Sequence, residues 1–344
     1  MNDGYVIDLG CANLRAVFPG QKEIYKEPSA VAIHRRTGSI VAVGKDAITA
    51  APGNADISLS RPFRASLTDN CDITYHVLYD FICRGGQRER RGGRLLLSVP
   101  AGITDEEEVA LIETALRIGF KSCYTVYSPI AAMCAEYISP FTHCILVDMG
   151  AVRTSLMVLS GGKILYRRTV NVGGESFDKA LQEYVRSAYG VHITPRTAEL
   201  AKMKAGTVFN DGYTTFPPQK ILGKRVENGE EVALSLTTED MYAAFEKPMA
   251  DLLDAICVAV LKIPLSHVNE VLDAGITLFG GCAALHGMDK MIEGVTKVPT
   301  TLAQSPADAV ISGLAILSND LPEECPRSLH NLSGFYIENF IHMK

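Results

Sequence analysis

The chain has 344 residues, of which 47% are hydrophobic and 21% charged, and its formal net charge is −6. That length is too great for one simple core and suits two domains of ordinary globular composition. The acidic balance excludes a dedicated nucleic-acid binder, and no apolar run is long enough to span a bilayer as a helix.

Residues 4–18 and 22–34 read as strands, β-rich and broken by a turn at Gly20. Gly38 marks the next turn, ahead of a strand over Ile40–Val43. Residues 51–72 are punctuated by Pro and Ser and read as loop with short elements, and Ile73–Cys83 reads as helix. Arg84–Arg94 reads as an exposed, glycine-rich loop with five arginines: Arg84, Arg88, Arg90, Arg91 and Arg94. Leu95–Val99 is a buried strand ending at Pro100. Thr104 caps the next helix: its hydroxyl can accept from first-turn amides, and the acids Asp105–Glu108 suit the helix dipole. Val109, Leu111, Ile112, Ala115 and Leu116 recur at helical spacing until Gly119 ends the helix.

Tyr124–Tyr127 reads as strand and Pro129–Tyr137 as helix, with further helices over Phe177–Tyr189 and Thr197–Ala205. Ile221–Val226 and Glu231–Leu236 form a hairpin, since Asn228-Gly229 favours the positive φ such turns need. A long helix starts at Thr237–Asp240 and runs to about Ile263. Ile276–Phe279 is a strand running into Gly280-Gly281, and Met288–Glu293 and Ala307–Ser318 are helices. From Asn319 the tail has few signals. Strands alternating with helices predict an α/β chain, with residues 176–246 inserted into its second half.

Two stretches repeat one design. Tyr5-Val6-Ile7 leads into Asp8-Leu9-Gly10, and Ile145-Leu146-Val147 leads into Asp148-Met149-Gly150. Each is followed by a second apolar run, a turn containing Gly and Lys (Pro19–Lys22; Gly161–Lys163) and another strand-like run. A strand–Asp-x-Gly–strand unit offers backbone N–H groups and a carboxylate to a phosphate–metal group. Repeated, it predicts two similar half-domains with a ligand cleft between them. Asp8 and Asp148 would face each other across that cleft and hold hydrated Mg²⁺, a hard ion that takes few protein carboxylates. The alternative is a pair of turn aspartates capping hairpins. Gly10 and Gly150 allow close backbone approach to phosphate. Gly280-Gly281 could do the same with the helix N-terminus behind it, or be a plain strand-to-helix turn.

Nine cysteines, at 11, 71, 83, 123, 134, 144, 257, 282 and 325, form no C-x-x-C pair and lie partly in apolar runs. Reduced buried thiols are expected rather than disulfides or a zinc site. No basic segment followed by an apolar core precedes the first strand, so a secretory leader is not expected and a cytoplasmic location is.

These motifs, in this order, resemble the MreB family of bacterial actin homologues along nearly the whole chain. Val6–Asn13 is similar to its first phosphate loop and Val147–Gly150 to the start of its second. Glu27-Pro28-Ser29 with Ala30–Ile33, and Val99–Asp105, match first-domain segments; Gly174–Asp178 and Arg196–Glu199 with Lys202 and Gly206 match the lid; Phe279–Met288 resembles the adenosine loop. The resemblance implies an α/β, actin-like (ribonuclease H-like, duplicated) fold with four subdomains. Domain I would cover residues 1–141, with a small subdomain near 34–83 and residues 310–344 returning to it. Domain II would cover 142–309, with a lid near 176–246. ATP and Mg²⁺ are the implied cofactors. Gly10, Cys11, Ala12 and Asn13 would bind nucleotide from the first loop, and Gly150, Ala151, Val152, Arg153 and Thr154 from the second. Gly280, Gly281 and Cys282 would lie at the adenosine, and Glu199 and Lys202 at ribose and adenine. The alternative for Glu199 and Lys202 is a surface ion pair three residues apart.

Several positions depart from the family. Ala151, Val152 and Arg153 stand in a loop that is otherwise glycine-rich, and Arg153 would either reach a phosphate or fill the pocket. Ser128, after Tyr127, stands where the family has the Glu that positions the attacking water, and Ser cannot act as a carboxylate base. Cys11 and Leu14 replace hydroxyl residues. These changes weaken hydrolysis more than binding. The implied function is an ATP-binding cytoskeletal filament that directs cell shape and cell-wall synthesis. Its partners would be further copies of itself and cell-wall synthesis proteins, with no nucleic acid. The Arg84–Arg94 loop would attach it to anionic lipid at the inner face of the plasma membrane, or else be a solvated loop. The rival readings are a small-molecule kinase of the same fold, a nucleotide-independent scaffold, and a heat-shock-type chaperone, which would need a separate peptide-binding domain.

Overall fold

A computed structural model describes residues 4–64, 71–85, 92–139, 142–210 and 212–320. In chain order the elements begin β1 (Gly4–Leu9), β2 (Asn13–Val17), β3 (Tyr25–Pro28), β4 (Val31–His34), β5 (Ile40–Val43), α1 (Lys45–Ala50), β6 (Ile57–Ser60) and α2 (Cys71–Arg84). Next come β7 (Arg94–Val99), α3 (Asp105–Ile118), β8 (Ser122–Tyr127) and α4 (Ser128–Ala135). The second half opens with β9 (Cys144–Met149), β10 (Thr154–Ser160), β11 (Lys163–Val170), α5 (Gly174–Tyr189), β12 (Val191–His192) and α6 (Pro195–Ala205). It continues with β13 (Gln219–Arg225), β14 (Glu231–Leu236), α7 (Thr238–Leu261), α8 (Val268–Ala274), β15 (Ile276–Phe279), α9 (Met288–Thr296), β16 (Thr300–Leu302) and α10 (Ala309–Leu317).

The described residues divide into two compact units. One holds the chain up to Thr142, with Gly161–Lys163 and the segment from Asp308; the other holds His143–Ser160 and Ile164–Ala307. Each is built on a five-stranded sheet, and the strand orders match: β3-β2-β1-β7-β8 in the first, β11-β10-β9-β15-β16 in the second. In both, the Asp-bearing strand runs antiparallel to the next strand and parallel to the later one. The duplication legible in the sequence is therefore a duplication of topology. A three-stranded sheet, β5-β4-β6, accompanies the first unit, and β12-β13-β14 the second.

The central strands are covered on both faces, which is why they read as unbroken apolar runs instead of alternating. Tyr5, Val6 and Ile7 of β1, Leu95–Leu97 of β7 and Ile145–Val147 of β9 are all fully buried. In the first unit α10 packs against α4 at very short range: a Cβ added to Gly313 would lie 1.6 Å from the Ala131 carbonyl oxygen. In the second, Phe177 and Leu181 of α5 join Met241, Phe245 and Met249 of α7 in one apolar cluster.

Local signals placed most elements. Thr104 forms a capping box with Glu107, and Gly119 ends α3 in the left-handed conformation. Four corrections have physical causes. The apparent strand over 4–18 is broken by the turn between β1 and β2. Arg84 and Arg94 belong to α2 and β7 rather than to a loop, and Arg88, Arg90 and Arg91 lie outside the described residues. On α3 the helical apolar stripe is only partly inward: Val109 and Leu116 are exposed, whereas Glu108 is buried. The Thr125 hydroxyl of β8 donates to Glu108 Oε1, which satisfies the buried acid. The short elements α1, β12, α8 and β16 had no sequence signal of their own.

Candidate functional site

In the first unit the turn Gly10–Ala12 follows Asp8, and its carbonyls are held from behind. The Ser29 hydroxyl donates to Gly10 O, while the Ser29 amide (2.9 Å) and Arg61 Nη1 (3.0 Å) donate to Ala12 O. Cys11 Sγ donates to Phe63 O at 2.9 Å. Gly10 cannot be replaced at this geometry, since a Cβ would lie 2.4 Å from Asn13 O. Asp8 is buried. Its Oδ1 accepts from Ser98 Oγ at 2.7 Å, and its Oδ2 lies 3.5 Å from Arg15 Nη1. Burial pushes the Asp8 pKa up, while Arg15 and Ser98 pull it back without cancelling the rise. Arg15 Nε in turn donates to Asp308 Oδ1 at 3.0 Å. Neither Arg15, Ser98 nor Asp308 was singled out in the sequence, although the hairpin register alone puts Arg15 opposite Asp8.

In the second unit the turn Gly150–Arg153 follows Asp148 and is closed by the Gly150 amide donating to Arg153 O at 2.9 Å. Its carbonyls face the start of α5: the Gly174 amide donates to Gly150 O (3.1 Å) and the Glu175 amide to Ala151 O (2.7 Å). Gly173 makes this contact possible, because a Cβ there would lie 2.7–2.8 Å from Val152, Ala151 and Gly150 backbone atoms. Thr154, expected at the nucleotide, is instead fully buried, and its hydroxyl donates to Val172 O at 2.7 Å. Beside Asp148, Gly280 takes φ +84°, and a Cβ on it would lie 2.3 Å from Met149 O and 2.8 Å from Asp148 Oδ1. Gly280 is thus dictated by both backbone and packing. Gly281 is exposed after it and Cys282 half-buried. Burial pushes the Cys282 thiol up to about 11.

Lys202 is not half of a surface pair with Glu199. Its ammonium donates to Gly174 O at 2.7 Å and lies 2.8 Å from Asp178 Oδ1, with the two side chains only 12% and 11% exposed. The contact with Asp178 is an ion pair more than an aligned hydrogen bond, since no donor satisfies that oxygen geometrically. Burial raises the Asp178 pKa, and Lys202 opposes the rise. Glu199 accepts from Arg196 Nη1 at 2.6 Å instead. Lys202 thus ties α6 to the first turn of α5, which itself grips the Gly150 turn. A second tie joins Thr207 to His286, with Oγ1 and Nδ1 2.9 Å apart.

Ser128 opens α4 at 8% exposure, after Tyr127 as N-cap and before Pro129. No carboxylate stands at its position.

Among the described residues no group of three or more His, Cys, Asp or Glu side chains is arranged for a metal ion. Asp8 has one oxygen on Ser98 and the other beside a guanidinium, so it does not fit a directly bound divalent cation. Among the described residues no helix is long and apolar enough to cross a membrane. Arg84, expected to face lipid, is paired with Asp46 at 2.7 Å and with Asp80.

The family model for MreB/Mbl protein matches residues 3–324. The cell shape-determining protein Mbl of Bacillus cereus is 31% identical over 330 residues, covering 94% of this chain and 98% of the relative. The chain belongs to the MreB/Mbl family. The cell shape-determining protein MreB of Escherichia coli strain K12 is 30% identical over 318 residues, covering 89% and 90%. Among solved structures, MreB5 of Spiroplasma citri bound to ADP superposes with a TM-score of 0.85 at 24% identity, over 92% of this chain and 96% of that one. The MamK double helical filament superposes at 0.78 and 16% identity, over 93% and 100%. The fold of this family member is actin-like, as the sequence implied.

Proposed function

We propose that this chain is an actin-like, nucleotide-binding protein that self-associates into filaments and acts in cell-shape determination. The observation that carries the reading is the duplicated hairpin: two sheets of identical strand order, each ending its Asp-bearing strand in a tight turn whose carbonyls are held from behind. With those oxygens engaged, the remaining amides of each turn, other than that of Gly150, which donates to Arg153 O, are the groups that suit phosphate. On this reading Gly10–Asn13 in the first unit and Gly150–Arg153 in the second are phosphate-binding turns. Gly280–Cys282 borders the adenosine, and Lys202 with Asp178 positions the lid. Thr154 serves the hairpin and not the ligand. Solved relatives bound to ADP and to AMPPNP support a nucleotide in this fold.

Hydrolysis is slow on this reading, because Ser128 offers no carboxylate to orient water. Filaments arise from a heterologous contact repeated head to tail, which does not close. The protein works on the cytoplasmic side, close to the membrane and to cell-wall synthesis proteins. Arg88, Arg90 and Arg91 supply the attraction to anionic lipid, since Arg84 is already neutralised.

Sedimentation across protein concentration, with and without ATP, tests the reading, with phosphate release followed in the same tube. Filaments that pellet above a critical concentration, together with a phosphate signal far below one per subunit per minute, are expected. A monomer that stays in the supernatant well above micromolar concentration under all conditions would remove the filament reading.

A further inference from the structure

Strands β4 and β6 pair so that Val31 lies opposite Ser60. Their neighbours in the chain, Ser29 and Arg61, therefore leave the small sheet at the same end, and both reach the turn after Asp8. Ser29 donates to Gly10 O and Ala12 O, and Arg61 Nη1 donates to Ala12 O at 3.0 Å. The segment beyond Arg61 is pinned as well. The Phe63 side chain is fully buried, and Phe63 O accepts from Cys11 Sγ at 2.9 Å. Sheet register on one side and a buried anchor on the other thus hold the Arg61 guanidinium at the first turn.

Two guanidiniums stand beside this turn, and they differ. Arg15 is neutralised by Asp8 and Asp308. Arg61 is half-buried, and among the described residues no carboxylate pairs with it. Its one hydrogen bond there goes to a neutral carbonyl oxygen, which leaves Nε and Nη2 without a protein acceptor. A guanidinium does not lose its proton in a protein, so the charge at Arg61 is permanent. Arg64, three residues on, feels that charge: burial lowers its pKa first, and Arg61 lowers it further. A cation with open donors, next to backbone amides suited to an anion, matches phosphate oxygens, which the planar guanidinium takes in bidentate fashion.

We propose, resting on the nucleotide reading above, that Arg61 is the cation that binds the polyphosphate of the nucleotide at the first turn. Nη1 stays on Ala12 O while the open donors take phosphate oxygens. The small sheet then contributes charge to the turn as well as support. Because Arg61 reads phosphate charge and not the base, its contribution grows with the number of phosphates on the ligand.

The test is calorimetric binding of ATP and of AMP to the full chain. Arg61→Gln keeps a donor for Ala12 O and loses the charge. It should bind ATP about tenfold or more weakly than the wild type, and AMP within about threefold. Arg61→Lys, which keeps the charge without the planar fork, should fall between the two. Raising the ionic strength from about 0.05 M to about 0.3 M should weaken ATP binding more in the wild type than in Arg61→Gln, because screening acts on the charge that the variant lacks. Thermal unfolding checks that the variants are folded. Should Arg61→Gln not fold, the same comparison of ATP with AMP on Arg61→Lys decides. Equal losses for the two nucleotides would mean that Arg61 only shapes the turn, and would overturn the proposal. So would ATP binding that Arg61→Gln leaves unaltered. Either outcome sinks this inference alone, whereas no ATP binding by the wild type sinks the nucleotide reading with it.

Discussion

Replacing Lys202 with Met asks whether the lid is held by a buried ion pair or decorated by a surface one. The ammonium lies 2.8 Å from Asp178 Oδ1. At an effective dielectric constant of about 20 that separation corresponds to an attraction of ~6 kcal/mol. Withdrawing both ions from water costs several kcal/mol apiece, so the intact pair contributes little net. Breaking it is different. Lys202→Met strands the Asp178 carboxylate and removes the donor to Gly174 O, and the expected loss is ~3 kcal/mol. A surface pair with Glu199 would have cost only ~0.2–0.5 kcal/mol. The two accounts differ severalfold, which urea unfolding followed by far-ultraviolet circular dichroism can resolve. The pH dependence adds a sign. Burial already raises the Asp178 pKa from 3.8 while Lys202 opposes the rise, so the variant's folded pKa rises further. A carboxyl with a raised folded pKa destabilises fully above that pKa and is relieved as pH falls through it. The deficit of Lys202→Met should therefore shrink in mildly acidic buffer, and adding Asp178→Leu should recover most of it at neutral pH. A loss under ~0.5 kcal/mol at neutral pH, or losses that simply add in the double variant, would refute the buried-pair argument.

Four further outcomes are expected. Gly313→Ala places a Cβ 1.6 Å from Ala131 O, forcing α10 and α4 apart. The overpacking, ~1–3 kcal/mol or more, outweighs the ~1 kcal/mol gained in helix propensity, so the unfolding midpoint should fall, and an unchanged midpoint would count against this contact. Burial pushes the Cys134 and Cys144 thiols up to about 12 from 9.0, while Cys71 is exposed. Alkylation of the native protein read by mass spectrometry should therefore mark Cys71 and spare the other two. Because those two thiols ionise later in the folded chain than in the unfolded one, their contribution to stability is lost as pH climbs from about 9 towards 12. Ser128→Glu should raise ATP turnover about tenfold or more, read as phosphate release per bound nucleotide, and an unaltered rate would move the cause of slow hydrolysis elsewhere.

The sequence by itself determined what short-range physics determines. Apolar runs marked the buried central strands, Thr104 and Gly119 bounded α3, and Asn228-Gly229 turned the β13–β14 hairpin. The two Asp-x-Gly turns exposed the duplication of the whole domain. Each of these signals acts within a few residues, through turn geometry, capping or periodicity. What only the tertiary structure decided depends on residues far apart in the chain. The hairpin register puts Arg15 opposite Asp8, but the second acid it meets, Asp308, lies 293 positions away. Lys202 leaves its helical neighbour Glu199 for Asp178 and the Gly174 carbonyl, because packing α6 against α5 buries the ammonium where only those groups can satisfy it. Thr154 turns inward to Val172, and Glu108 turns inward to Thr125, against what motif and helical period implied. The physical reason is common to all four. A buried charge or hydroxyl must find a partner, and the fold, not the local sequence, sets which partner is within reach.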